Sequence, residues 1–495
     1  MKKTATLLVF ILLLFSFSAC NGCYSCKGCS SCEGQSTLSA YSIDVAFDEE
    51  NHLITGVQKF DFYNCYDNAF DELKFNLYGN AFRQGAKYEP ISPMQQPKAY
   101  PNGVNYGNMS VSAVTSGDKE LAFTIGGTDE TLLTVKLDDT VYPEESTSLT
   151  IYYSLRLAEV YARTGYNSHT VNLGNFYPVL CGYNETGFCE GLYYSHGDPF
   201  FSEVADYSVS IKVPTDYKVA SSGELTSVNH GEDFSTYKYS LQKARDFAMV
   251  ISSEYESLST SVGNTEINYY YYSDKNARSS LETAKKALTT FNELFGEYPY
   301  KSLAVCETGF NEGGMEYPCL VMISDALGDK QVYEEVIAHE VAHQWWYSLV
   351  GNDQTAYGFL DESLAEYSVV LFYENNPEYG LTRETLIDVA HKTYSSYCTV
   401  YEKVFGGKNT SMVRSLGEFD TAYEYVSIAY VKGALMYDGL RNGLGDELFF
   451  KGIKRYCAEN SYKIATPDSL VGAFEKVGAN TNGFFKSWFD GDVIL

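Results

Sequence analysis

The stretch Glu334 to Trp346 reads EEVIAHEVAHQWW and sets two histidines, His339 and His343, four residues apart. Val336, Ile337, Val341 and Ala342 around them predict a helix. On a helix, four residues turn about 400° and rise about 6 Å, so both imidazoles lie on one face. That spacing lets both rings hold one Zn²⁺ at about 2.0–2.1 Å each. Glu340 sits between them, placed for a water on the metal rather than for the metal itself. Two histidines satisfied by other partners give the same pattern, so a third ligand must be found.

Eighteen residues separate His343 from Glu362, in LDESLAEYS. Leu360, Leu364, Tyr367 and Ser368 predict a second helix whose polar side faces the first. A catalytic zinc takes three protein ligands and keeps one position open for water, and Glu362 completes the three. Glu366 lies one turn further on. From there a carboxylate accepts a hydrogen bond from the far nitrogen of a ligand histidine and sets its tautomer.

The rest of the chain places this segment. Net charge is −28, which argues against nucleic acid, because phosphate contacts need clustered Lys and Arg. The 44 tyrosines favour β-rich architecture and polar interfaces. Tyr41, Ile43, Val45 and Phe47 alternate with polar residues; so do Leu149 to Leu157 and Tyr207 to Val213. That period of two predicts half-buried strands, and residues 37–257 read as an N-terminal antiparallel β domain. Beyond it, Leu281, Ala284, Leu288, Phe291 and Phe295 fall at helical steps, with Asp274 and Asn276 as candidate caps and Gly296 and Pro299 as the stop. Residues 258–495 read as a mostly helical domain with strands near Leu303 to Cys306 and Cys319 to Ile323.

Residues 1–19 read as a signal peptide: Lys2 and Lys3, an apolar run from Leu7 to Phe17, then Ser18 and Ala19. The run is too short to span a bilayer comfortably. FSAC, ending at Cys20, resembles the signal end of bacterial lipoproteins, which implies a lipid on Cys20 and a place on the outer face of a membrane. Cys23, Cys26, Cys29 and Cys32 follow at three-residue steps, and 20–36 reads as a tether. Seven further cysteines are dispersed; Cys181 with Cys189 and Cys306 with Cys319 are the nearest pairs, and disulfides and free thiols are both open.

HEVAHQWW, eighteen residues and then Glu resembles the gluzincin metallopeptidases, and among them the aminopeptidase N family. The likeness extends to GGMEYP (313–318), with Glu316 preceding His339 by 23 residues, and to AYVKGAL (429–435), which contains Tyr430. FGEYPY (295–300) and HGDPFFSEVADYSVSIKVP (196–214) are lesser echoes. The resemblance implies a β domain followed by a thermolysin-like catalytic domain, with one zinc per chain on His339, His343 and Glu362. It implies that Glu340 is the general base of peptide hydrolysis and that the Tyr430 hydroxyl stabilises the oxyanion, a contact worth about 3–4 kcal/mol of barrier. It implies that Glu316 pairs with the α-ammonium of a peptide with a free N-terminus, near Gly313 and Gly314, which permit close backbone approach. Tyr425 is a second family-like tyrosine.

Two departures limit the likeness. NLGNFYPVLCGYNETG (172–187) has no Gln to match the one that touches the substrate amine in relatives. The chain closes on FFKSWFDGDVIL (484–495), which resembles the end of the catalytic domain and implies a more open cleft. The rival functions are a thermolysin-like endopeptidase and a non-catalytic surface binding protein on a peptidase fold. The presence of every ligand and of Glu340 argues against the second.

Overall fold

The structure, a computed structural model, describes residues 37–481, 483–491 and 493. The predicted signal, Cys20 and the cysteine run lie outside the described residues.

The period of two becomes an eight-stranded sheet. Its spatial order is Glu224–His230, Phe234–Ala244, Ala205–Pro214, Ala40–Asp48, Leu53–Tyr63, Ser146–Arg156, Asn108–Ser116 and Lys119–Glu120. Tyr41, Ile43, Val45 and Phe47 all turn inward, while Ser42 and Asp44 face solvent. One pairing departs from the antiparallel expectation. Ala40–Asp48 runs parallel to Ala205–Pro214. The chain returns to the first strand through a long connection rather than a hairpin, and only such connections permit parallel neighbours. Two four-stranded sheets and a two-stranded one, Tyr183–Asn184 with Gly187–Phe188, complete this half among the described residues.

The second half starts from a five-stranded mixed sheet, in the order Glu256–Val262, Thr265–Tyr271, Ser302–Thr308, Leu320–Ser324 and Gly314–Met315. Ser302–Thr308 and Leu320–Ser324 pair in parallel and are buried along nearly their whole length, as strands covered on both faces must be. Helix α1 (Ala277–Phe295) buries all five of its predicted apolar positions. Neither candidate cap works as one: Asn276 holds the cap position without a side-chain bond, and Asp274 instead accepts from Tyr269 and Ser280. Helix α2 (Lys330–Ala342) carries His339 and Glu340, and helix α3 (Phe359–Asn375) carries Glu362 and Glu366. A long helix α4 (Arg383–Phe405) follows.

Arg245 ties the two halves together. It is 1% exposed, and its guanidinium donates to the carbonyls of Ser202, Tyr347, Leu349 and Lys463. A Cβ at position 351 would lie 2.1 Å from that guanidinium, so the close approach requires Gly351. Cys181, Cys189, Cys306, Cys319, Cys398 and Cys457 are free thiols. Cys319 accepts from the Tyr298 hydroxyl and Cys306 donates to the Val321 carbonyl, so neither half of the 306/319 pair looks toward the other for a bond.

Candidate metal centre and peptide cleft

Helix α2 is capped by Asp329, whose carboxylate accepts from the amides of Gln331 and Val332. It ends at Ala342, so His343 takes the position just past its last residue and still donates its amide to the His339 carbonyl. The two imidazoles and the Glu362 carboxylate converge. His339 Nε2 lies 3.1 Å from His343 Nε2, and Glu362 Oε2 lies 3.3 Å from each.

These spacings fit a metal ion. A circle through three atoms so placed has a radius of about 1.9 Å, close to a zinc–ligand bond, so His339, His343 and Glu362 would together hold one ion. The ring nitrogens are oriented for it. His343 Nδ1 lies 2.8 Å from the Trp346 carbonyl, which only accepts, so Nδ1 carries the hydrogen and Nε2 faces the centre. His339 Nδ1 faces Glu366 at 3.3 Å with the same effect. Glu362 Oε2 is buried and makes no hydrogen bond of ordinary geometry, the condition of an atom meant for a cation.

Charge follows the same geometry. Burial pushes the Glu362 carboxyl up, but His343 and His339 outweigh it and hold the group at about 2. Burial disfavours the charged form of His339, yet the nearby carboxylates of Glu362 and Glu366 push it to about 10. Glu340 is raised to about 7 by burial, against the pull of both histidines. A Cβ on residue 314 would sit 2.4 Å from Glu340 Oε1. The close approach at Gly314 is therefore to the Glu340 carboxylate, whereas a Cβ on Gly313 would meet only Val336, at 3.5 Å.

Glu316 follows the short strand Gly314–Met315 and is 4% exposed. Burial is the main reason its carboxyl rises to about 7; His343 and Arg163 pull it down, while Glu340 and Glu362 push it further up. Tyr430 stacks beside His339, with ring centroids 5.7 Å apart. It sits on a π-helical turn, Val426–Lys432, the kind of local irregularity that recurs at functional sites. Two neighbours explain the sequence around it. The buried Lys432 ammonium donates to the carbonyls of Thr410 and Trp488. Ser363, next to Glu362, donates to the Ala429 carbonyl, and only a glycine at 433 leaves room for it. Tyr425 is buried against His196, Phe419 and Tyr430.

His339, Glu340, His343, Glu362, Glu366, Glu316, Tyr425 and Tyr430 line one cavity of about 370 Å³, walled on its other side by the N-terminal half. Sequence reading missed that wall. Arg163 pairs with Asp198 at 2.7 Å and lies over the rings of Tyr193 and Phe200. Burial raises Asp198 to about 7 despite Arg163. Asp198 belongs to HGDPFF, the stretch noted only as an echo, and Arg163 had no local pattern to reveal it. Gln354 and Asp361 were also missed, although Asp361 adjoins Glu362.

Residues 279–488 match the peptidase family M1 domain. Aminopeptidase N of Lactobacillus delbrueckii subsp. lactis is 29% identical over 239 residues, covering 44% of this chain and 27% of that protein. Aminopeptidase M1-A of Oryza sativa subsp. japonica is 27% identical over 241 residues, covering 45% and 26%. The chain thus spans about a quarter of the length of the curated relatives it matches. Among solved structures it is similar to an M1 zinc metallopeptidase from Deinococcus radiodurans, with a TM-score of 0.66 at 16% identity over 92% of this chain and 93% of that one. A mutant of that protein bound to a Tyr-Ser-Ala substrate matches with a TM-score of 0.63 at 15% identity, over 92% and 95%. Residues 279–488 thus match the domain of peptidase family M1, and the chain as a whole shares the fold of two-domain M1 zinc metallopeptidases.

Proposed function

We propose that the protein is a zinc-dependent aminopeptidase that removes residues from the free N-terminus of peptides. One observation carries the reading: a metal triangle and a buried, cavity-lining carboxylate, Glu316, share one cleft. His339, His343 and Glu362 hold the zinc, which supplies a polarised carbonyl and an acidified water when bound. Glu340 takes the proton from the attacking water and returns it to the leaving amine, a task suited to a group raised to about 7. The Tyr430 hydroxyl donates to the oxygen on which charge develops. Glu316 pairs with the α-ammonium, and only a first residue brings that cation. The Tyr-Ser-Ala complex of the Deinococcus relative supports a peptide as the substrate class.

A panel of aminoacyl fluorogenic amides tests this, run with and without chelator. The proposal requires hydrolysis that chelator removes and zinc restores. Activity insensitive to chelator would overturn the mechanism.

From residues 2–20 alone we further propose export, and tethering by a lipid on Cys20. Mass spectrometry of the mature N-terminus decides: an unmodified Cys20 sulfur, or a cut elsewhere, removes the anchor.

A further inference from the structure

The Glu316 carboxylate receives a single hydrogen bond from the described residues. Gln354 Nε2 donates to its Oε1 at 3.2 Å. The same nitrogen donates to Asp361 Oδ2 at 2.7 Å. Ligand atoms of Glu316, Asp361 and His343 lie within 4.8 Å of one another, so the two carboxylates are close neighbours in a buried place. Two carboxylates at that range repel unless something with hydrogens stands between them. An amide nitrogen carries two, one for each.

Gln354 is itself fixed through its backbone and its amide nitrogen, while its Oε1 is buried without a hydrogen-bond partner among the described residues. It is 2% exposed and opens a short helical turn, Gln354–Tyr357, capped by the Asp353 carboxylate. Its backbone amide donates to the Phe200 carbonyl of the N-terminal half. Asp361, its other partner, accepts from Asn352 and from the amide of Glu362, so it is fixed to the start of helix α3. The side chain therefore joins Glu316 to the helix that carries the third metal ligand.

We infer that Gln354 is a positioning residue that fixes the Glu316 carboxylate relative to the metal, and so fixes where the substrate's α-ammonium is held. This rests on the aminopeptidase reading. Glu316 would otherwise be free to swing away from Asp361, and the ammonium would lose its register with the scissile bond. A loss of that kind falls on ligands with an amine and spares those without one.

The test compares wild type, Gln354→Met, Gln354→Ala, Glu316→Gln and the double variant Gln354→Met/Glu316→Gln, all zinc-loaded. Methionine fills the same volume without the donor. Kinetics on leucine p-nitroanilide are read beside inhibition by acetohydroxamate, a metal-directed probe that has no amine. The expected result is a rise in KM of about tenfold for Gln354→Met, with kcat moved far less and acetohydroxamate inhibition unchanged. In the double variant the Gln354 effect should vanish, because the group it positions is gone. Equal losses for substrate and acetohydroxamate, or additive losses in the double variant, would show a merely structural role and overturn the inference. An unchanged KM in Gln354→Met beside a raised KM in Glu316→Gln would overturn it and leave the aminopeptidase reading standing. An unchanged KM in Glu316→Gln would remove both.

Discussion

At the metal end of the cavity each histidine is held from behind, His343 by the Trp346 carbonyl and His339 by Glu366. At the other end Glu316 has one hydrogen bond, from Gln354, and lies between His343 and Arg163 on one side of the charge balance and the like charges of Glu340 and Glu362 on the other. The difference follows what each end must bind. A metal needs ligands already aimed, because zinc demands three donors at nearly equal distance. A substrate ammonium brings its own charge and hydrogens, so the carboxylate waiting for it must be left underused. On the proposed reading the metal end would be satisfied by zinc, and the amine end only by the ammonium of a substrate.

Breaking the metal end should cost most. His343→Ala removes a ligand that is 1% exposed and opens the triangle. Zinc content measured by emission spectroscopy should fall to near zero, and peptidase activity with it. Glu340→Ala should be the next largest loss, about 10²- to 10⁴-fold in kcat with zinc retained, because in the proposed mechanism this residue moves a proton and binds no metal. Retained activity with zinc present would remove Glu340 from the proton path. Tyr430→Phe should lower kcat about 10²- to 10³-fold while KM stays nearly unchanged, as loss of a contact made only in the transition state requires. Glu316→Gln should act differently from all three. It should raise KM for substrates with a free amine and hardly alter metal content, which separates the two ends by experiment.

The two ends also differ in how far the sequence revealed them. The metal end is local. His339 and His343 share one helix, Glu362 sits at a fixed spacing on the next, and the chemistry of zinc demands that set. Glu366 was legible for the same reason, one turn from Glu362. The amine end is assembled from distant parts: a strand end for Glu316, a short turn for Gln354, and two separate loops of the N-terminal half for Arg163 and Asp198. No spacing rule links these, since tertiary packing alone brings them together. The role of Gly314 shows the same limit. Its need for a missing Cβ was readable, but the partner it clears, Glu340, was not. In the fold, alternation revealed the strands and helical steps revealed α1. The parallel pairing of Ala40–Asp48 with Ala205–Pro214 was hidden, because it depends on where the chain returns and not on which residues it contains.

The claim that the two ends together count from a free N-terminus is tested most directly by one peptide in two forms. The zinc-loaded protein is given the same pentapeptide with a free and with an acetylated amino terminus, and products are followed by mass spectrometry. The account predicts stepwise loss of single N-terminal residues from the free form and an intact acetylated form. Cleavage of both forms at equal rates, at internal bonds, would contradict it and make the protein an endopeptidase.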